Sequence, residues 1–469
     1  MIALERARDR LTVKKALDRV SSTGRADKKS GCCFTPHHPP YRIADLSQTI
    51  DKSLARTQKR EPEADREEAA RADRALALVS VAVLLASSTW FSGTAAAPAL
   101  RSDWHLSDSQ SAWLTISVQI GFITGTFLYA ALNLADRFNA RKVLFASAVL
   151  GALFNGIFAA VSTELNAALA LRFLTGLTLA GVYPVAMKIV ASWFQTGLGW
   201  RLGVLVGSLT LGTASPYLVR ALGAGSNWRI LAGLASASAV AGGAVVLLAV
   251  SDGPYLKQRA RFDYRMLLRV FQHRPFRYTA FGYFGHMWEL YAFWSLTTFY
   301  LSARFQGREP VWGGRLALLS FAAVGIGGVG CAAGGWVSRW TGERRVALAS
   351  LIVSAGCCAV SGFAFELPPS ALMVFILIWG IFVVSDSPQF SALAARYCPR
   401  DYTGTALTVQ NGVGFAVTVF SLQLLPLIAG LTGWKWAFVF LTAGPVVGAY
   451  FMSRLASASN ADGEEREHA

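Results

Sequence analysis

The sequence predicts an all-α membrane protein, with twelve transmembrane helices in two pseudo-symmetric six-helix bundles around a central cavity. Three observations predict it. Only 15% of the 469 residues are charged while 53% are hydrophobic, against about 25% charged in soluble globular chains. The apolar residues fall in runs of about twenty, the length a helix needs to cross the hydrocarbon of a bilayer, where each segment must satisfy its own backbone. A short basic turn, Asn133-Leu134-Ala135-Asp136-Arg137-Phe138-Asn139-Ala140-Arg141-Lys142, returns as Gly335-Trp336-Val337-Ser338-Arg339-Trp340-Thr341-Gly342-Glu343-Arg344-Arg345, an offset of 202 between Asp136 and Ser338.

In chain order, residues 1–74 are polar, basic and broken by Pro36, Pro39 and Pro40, so they bury too little to fold alone and form a disordered cytoplasmic tail. No apolar core follows the first basic residues, which argues against a signal peptide. The first span, Leu76–Ala99, begins where the charges stop. The second and third, Ser111–Leu134 and Val143–Val161, flank the basic turn and read as a hairpin. Ala167–Phe194 is the fourth. Gly203–Leu222, the fifth, carries Gly203-x3-Gly207-x4-Gly212-x3-Pro216, small residues that let helices approach closely. Arg229–Val250 completes a bundle over 75–251. The connection 252–275 holds Lys257, Arg259, Arg261, Arg265, Arg269 and Arg274, and Arg265–Phe271 is amphipathic, as a short helix on the membrane face would be. The second bundle, 276–454, comprises Phe276–Ser302, Gly314–Val337, Val346–Phe365, Ser370–Ala394, Gly404–Ile428 and Trp436–Arg454, and 455–469 is a second cytoplasmic tail. Lys and Arg concentrate in the connections on one side, which puts both termini in the cytoplasm.

The duplication extends beyond the turn. Gly176-x7-Pro184 in the fourth span matches Gly380-x7-Pro388 in the tenth, and Trp228-Arg229 matches Trp434-Lys435. Three matches in order argue for a repeated six-helix unit.

Several chemistries are excluded. The formal net charge is +16, yet no basic face with interleaved aromatics points to nucleic acid; cytoplasmic loops at an anionic membrane surface account for it. Cys331, Cys357 and Cys358 lie in apolar spans and Cys398 at a turn, which gives no disulfide framework. Cys32-Cys33-x3-His37-His38 lacks a usual ligand spacing, so no metal is expected. No phosphate-binding glycine loop appears, and no cofactor is expected.

Ionisable groups inside spans are the sharpest clue, because each is costly in lipid unless paired or hydrated. Arg172, Lys188, Glu289 and Asp386 lie clearly within spans. His286 and Glu289, three apart, project from neighbouring positions on one helix face. Removal from water favours the neutral form of a carboxylate, which suits reversible proton binding, and a neighbouring histidine relays or tunes it. The alternative is a satisfied pair that only holds helices together. Tyr183 returns to the face of Arg172 eleven residues on, with Gly176 close by, so that face can line a cavity. The alternative for Arg172 is bonding to carbonyls at a helix end. Lys188 lies near the cytoplasmic end and is expected to snorkel. Asp386 precedes Pro388 and Gln389; it is read as binding substrate, pairing with an arginine of the other half, or capping a broken helix. The first span offers Ser87-Ser88-Thr89-Trp90-Phe91-Ser92 at mid-depth.

These features resemble the major facilitator superfamily of secondary transporters over about Leu76–Arg454. Asp136-Arg137-x3-Arg141-Lys142 is similar to its signature between spans two and three, with Asn133 and Asn139 where glycine is usual and Ser338 replacing the acid in the second copy. Leu171-Arg172-x3-Gly176 resembles its second signature. The fifth span matches the antiporter signature only loosely, Ser208 standing where proline would follow Gly207, and the nitrate carriers' signature is missing.

The resemblance implies that Asp136, Arg137, Arg141 and Lys142 form a cytoplasmic gate between the halves. Asp136→Asn is then expected to slow transport and leave insertion intact, as measured by flux and membrane yield. It also implies that Arg172 serves proton coupling or anionic substrate, and that spans one, four, seven and ten line the path. Trp90, Tyr183, Trp288 and Gln389 are then candidate cavity contacts, with Glu289, His286, Arg172 and Asp386 as proton or substrate groups. The expected protein is a monomer of the bacterial inner membrane, no enzyme, moving a small organic solute with protons by alternating access. An efflux permease and a non-transporting receptor or sensor are the alternatives.

Overall fold

A computed structural model describes residues 66–194, 197–223, 227–255, 269–306, 309–398 and 403–467. Among the described residues the chain is helical throughout, with no strand. Glu68–Ala469 form one compact unit. Of the expected disordered tail 1–74, residues 1–65 lie outside the described residues, while 66–74 are corrected to helix, the first turns of Arg66–Trp104.

The long helices are α1 (Arg66–Trp104), α2 (Asp108–Ala131), α3 (Ala140–Val161), α4 (Leu165–Ala191), α5 (Leu198–Ala221), α6 (Trp228–Ala249), α7 (Arg274–Arg304), α8 (Glu309–Thr341), α9 (Glu343–Ala364), α10 (Pro369–Tyr397), α11 (Thr403–Thr432) and α12 (Trp434–Leu455). Eleven are long and apolar enough to cross a membrane. The exception is α7, whose 31 residues suffice in length but whose Tyr, Trp, His and Gly residues dilute its hydropathy. Of the expected helix Arg265–Phe271, residues 265–268 lie outside the described residues, and Arg269–Gln272 form a 3-10 turn.

Helix ends follow from local chemistry. Ser107 opens α2 with a capping box, its hydroxyl accepting from Gln110 N while Gln110 Oε1 accepts from Ser107 N at 2.9 Å. Asn133 sits at φ 49 before the short turn Leu134–Arg137, a left-handed position where glycine is usual and asparagine is tolerated. Asn139 caps α3, its side chain accepting from Arg141 N at 3.1 Å and Lys142 N at 3.4 Å. Both departures from glycine thus have a physical basis.

Three helices are interrupted at mid-length. Helix α1 opens at Ser88–Phe91. Helix α4 divides into Leu165–Leu179 and Tyr183–Ala191, with Pro184 in the first turn of the second piece. Helix α10 divides at Asp386 into Pro369–Ser385 and Ser387–Tyr397, with Pro388 similarly placed. In both cases the proline lacks the N–H that would continue the ladder.

Packing repeats with the sequence period. A Cβ on Gly176 would fall 2.0 Å from Val118 O, which locks α4 against α2; one on Gly380 would fall 2.1 Å from Ala323 O, which locks α10 against α8. Arg141 Nη1 donates to Val250 O at 2.7 Å, and Arg344 Nη1, 203 positions on, donates to Met452 O at 3.3 Å. Helices α5 and α8 make the most extensive pairing, and α2 packs along α11. Gly203 and Gly207 meet the α8 backbone, as their spacing predicts.

Candidate functional site

The interruptions converge on one cavity. Its wall combines Trp90 from α1, Phe122 from α2, Tyr183 from α4, Val206 and Leu209 from α5, and Val384, Ser387 and Ser391 from α10. Asn411 and Phe415 come from α11, and α7 supplies Tyr283, Met287, Leu290, Tyr291 and Trp294. Its free volume is only about 40 Å³, room for a few water molecules. The ring of Trp90 lies 4.8 Å from Phe122 and 5.7 Å from Phe415, and Tyr291 lies 5.2 Å from Phe415. Each break turns a side chain inward: Trp90 sits in the α1 opening, and Tyr183 and Ser387 begin the second pieces of α4 and α10.

Arg172 is fully buried but does not line this cavity. Its Nη1 donates to Thr89 O at 2.9 Å, Ser92 Oγ at 3.0 Å and Asn155 Oδ1 at 2.7 Å, and its Nη2 to Trp90 O. Asn155 in turn donates to Ala232 O at 2.8 Å. The guanidinium therefore satisfies carbonyls that the α1 break leaves open, and it fixes the backbone that carries Trp90. Of the two expectations for Arg172, the geometry matches bonding to carbonyls. Tyr183, expected beside it, reaches the cavity alone.

Glu289 and His286 face the interior of α7, α9 and α10 rather than the cavity. Glu289 Oε1 accepts from Ser354 Oγ at 2.6 Å, Trp379 Nε1 at 2.5 Å and Cys358 Sγ at 3.2 Å. His286 Nδ1 lies 2.9 Å from Asp386 Oδ1, both side chains being buried. Two expectations are corrected here. Asp386 meets a histidine of α7 and not an arginine of the other half, because the α10 break turns it toward α7. Glu289 is held by three donors from α9 and α10, not by His286, because three positions on a helix separate the two heads when each has a partner on a different neighbour.

Two cavity candidates are also corrected. Trp288 lies tilted against Phe440 of α12, ring centroids 5.3 Å apart, because it stands about a third of a turn around α7 from the centre of the cavity-lining stripe. Gln389 Nε2 reaches back to Ser385 O at 3.4 Å beside Gly334 of α8. The cavity residues that the sequence reading passed over on α7, at 283, 287, 291 and 294, recur at helical spacing, and that stripe was a usable signal.

At the basic turn, the side chain of Asp136 lies outside the described residues. Arg137 and Lys142 are exposed. Arg141 pairs with Asp252 at 3.0 Å and donates to Val250 O, and Asn139 Nδ2 donates to Asp252 at 2.8 Å. The expected gate is corrected for Arg141: its partners belong to the end of α6 and the segment after it, since Asp252 is the acid within reach. Lys188 bonds Ala135 O in the same region.

At the far end of α2 lies a contact that the sequence did not suggest. Arg101 pairs with Asp108 at 2.6 Å, Trp434 Nε1 donates to Asp108 Oδ2 at 3.3 Å, and Gln423 Nε2 bonds Ser109 Oγ. Among the described residues no cluster of three or more His, Cys, Asp or Glu could hold a metal.

The family model for the Major Facilitator Superfamily matches residues 78–422. The chain belongs to this superfamily. Within it, the chain is 26% identical over 362 residues to the niacin transporter NiaP of Acinetobacter baylyi, covering 68% of this chain and 77% of that one. It is 24% identical over 395 residues to the 4-hydroxybenzoate transporter PcaK of the same organism, covering 74% and 81%. The fold is similar to that of the nucleoside transporter NupG, with a TM-score of 0.62 at 13% identity over 81% of this chain and 98% of that chain. The chain is thus a multi-pass membrane protein of a transporter superfamily whose relatives are named as carriers and not as enzymes.

Proposed function

We propose that the chain is a secondary active transporter that carries a small single-ring aromatic solute through the central cavity by alternating access. The observation that carries this reading is the cavity wall itself: seven aromatic side chains from five interrupted or crossing helices, buried between α1–α6 and α7–α12. Niacin and 4-hydroxybenzoate, carried by the relatives, are each one flat ring with polar substituents, a shape that stacks against such a wall.

In this reading α7 is the twelfth spanning helix, and two six-helix bundles, 75–251 and 276–454, rock about α2–α11 and α5–α8. The recurrence of the glycine contacts and of the arginine-to-carbonyl bond in both halves supports it. Both termini face the cytoplasm across a bacterial inner membrane, and a monomer is sufficient. Glu289 exchanges the coupling proton, because its shell of Ser354, Cys358 and Trp379 offers donors to the carboxylate and a neutral, apolar setting to the acid.

The test is flux of labelled niacin and 4-hydroxybenzoate into proteoliposomes holding the purified protein. A proton gradient should drive accumulation above equilibrium for at least one of them. Glu289→Gln should abolish accumulation while leaving solute exchange within about twofold, and protein-free liposomes set the background. Uphill transport unaffected by that substitution removes the coupling role. Absence of any flux of aromatic solutes by well-folded protein removes the transport reading.

A further inference from the structure

We propose that the central cavity takes its solute in uncharged form, as a neutral aromatic molecule whose acceptor atoms are met by the indole N–H groups of Trp90 and Trp294. This rests on the aromatic-transporter reading above and sharpens its substrate class.

Among the described residues, the cavity wall holds no Asp, Glu, Lys, Arg or His. Its polar groups are neutral: the hydroxyls of Tyr183, Tyr283, Tyr291, Ser387 and Ser391, the Asn411 amide, and the two indoles. The charged and titratable groups behind that wall are committed elsewhere. On α4, Arg172 is bonded to Thr89 O, Trp90 O, Ser92 and Asn155. On α7, Glu289 accepts from Ser354, Cys358 and Trp379, and His286 lies against Asp386 of α10. On α5, Arg220 donates to Ala95 O and Tyr217 to Trp294 O, and on α8 the Cys331 thiol donates to Val384 O. A solute carboxylate entering the cavity would lose its water, meet no cation, and face aromatic rings whose π-faces are negative. Glu289 and Asp386, when ionised, would oppose it further.

The opposite error, a cationic solute, is argued against by the donors. Trp90 Nε1 and Trp294 Nε1 are buried without a hydrogen-bond partner. A buried N–H is almost always paired in a folded protein, so an orphan donor in a cavity wall asks for an acceptor on the ligand. An ammonium head has donors and no acceptor, so it leaves both indoles unanswered although the π-faces attract it. The two indoles flank Tyr291, with ring centroids at 5.9 Å and 5.3 Å from it. They also stand 204 positions apart, the spacing of Gly176 and Gly380. One donor therefore comes from each repeat, and both indoles pack against Tyr291. A carboxamide or a neutral carboxylic acid on a flat ring supplies the acceptors at no cost in charge.

The experiment compares three probes of one ring size, benzamide, benzoate and benzylammonium, by titration calorimetry on the purified full chain in nanodiscs. At pH 7.5 benzamide should bind at least tenfold more tightly than either ion. Between pH 7.5 and 5.5 the affinity of benzoate relative to benzamide should rise about tenfold per unit as its neutral fraction grows above a carboxyl pKa near 4. Taking the ratio removes whatever a titrating protein group, Glu289 included, contributes to both. Trp90→Phe and Trp294→Phe, which keep a ring and remove the N–H, should each weaken benzamide about five- to tenfold. Benzoate or benzylammonium binding as tightly as benzamide at pH 7.5 overturns this inference alone. Failure of all three to bind folded protein overturns the aromatic-solute reading and this inference together.

Discussion

Arg172 meets no carboxylate among the described residues, and its four bonds go to carbonyl, hydroxyl and amide oxygens. A guanidinium in that setting serves the backbone of α1, with its planar fork matched to two successive carbonyls. Arg172→Gln should strand the Thr89 and Trp90 carbonyls, each at about 1–3 kcal/mol, and so lower stability by about 3 kcal/mol, measurable by unfolding in nanodiscs. Arg172→Lys should recover part of that loss, because an ammonium still donates to both carbonyls. Transport should fall with the stability of the α1 break rather than with proton affinity, so the pH profile of the lysine variant should match the parent. A shifted profile would return the arginine to proton coupling. The sequence left this choice open for a physical reason: burial at a helix end and burial in a cavity demand the same residue, and only the partners tell them apart.

At the scale of elements, glycine sets how closely helices cross. Gly121 and Gly176 interlock, each added Cβ falling 2.0 Å from a backbone carbonyl of the other helix. Gly176→Ala must therefore push α2 and α4 apart, at about 1–3 kcal/mol of overpacking, read as a lowered Tm. Gly356→Ala, where an added Cβ meets nothing, is the control and should leave Tm within a degree or raise it. Half of this was legible: the Gly176–Pro184 and Gly380–Pro388 matches name the same positions as the close contacts and the breaks. The break in α1 was not, because Ser88–Phe91 contains neither proline nor glycine, and the turn exists only because Arg172 from another helix satisfies it.

For the molecule as a whole, the contact at Asp108 joins α2 to the start of α12, and Arg101 lies over the Phe299 ring of α7 at 5.4 Å. If the bundles rock, this end has to open. Arg101 and Asp108 are about one-third exposed, so the pair is worth less than about 1 kcal/mol. Asp108→Asn should therefore shift the conformational balance by only two- to fivefold. The measurement is labelling of a Ser391→Cys thiol in the cavity by an impermeant maleimide from the Asp108 side, which should speed up by that factor. Unchanged labelling would show that this contact restrains nothing. Arg141 teaches the reverse lesson, since a signature cation read as an inter-half latch is engaged by Asp252, an acid 111 positions away that no local motif announces.

The amino-acid order by itself determined the membrane class, the helical architecture, the repeat and the superfamily, because hydropathy, charge placement and spacing are properties of the chain. It also marked Trp90 and Tyr183 for the cavity. Which way each buried polar head turns was decided only by the tertiary structure. Glu289, His286, Asp386 and Arg172 each choose among several neighbours within a few ångströms, and those neighbours come from helices far apart in sequence. In lipid an unpaired head is so costly that the partner, not the residue, sets the role.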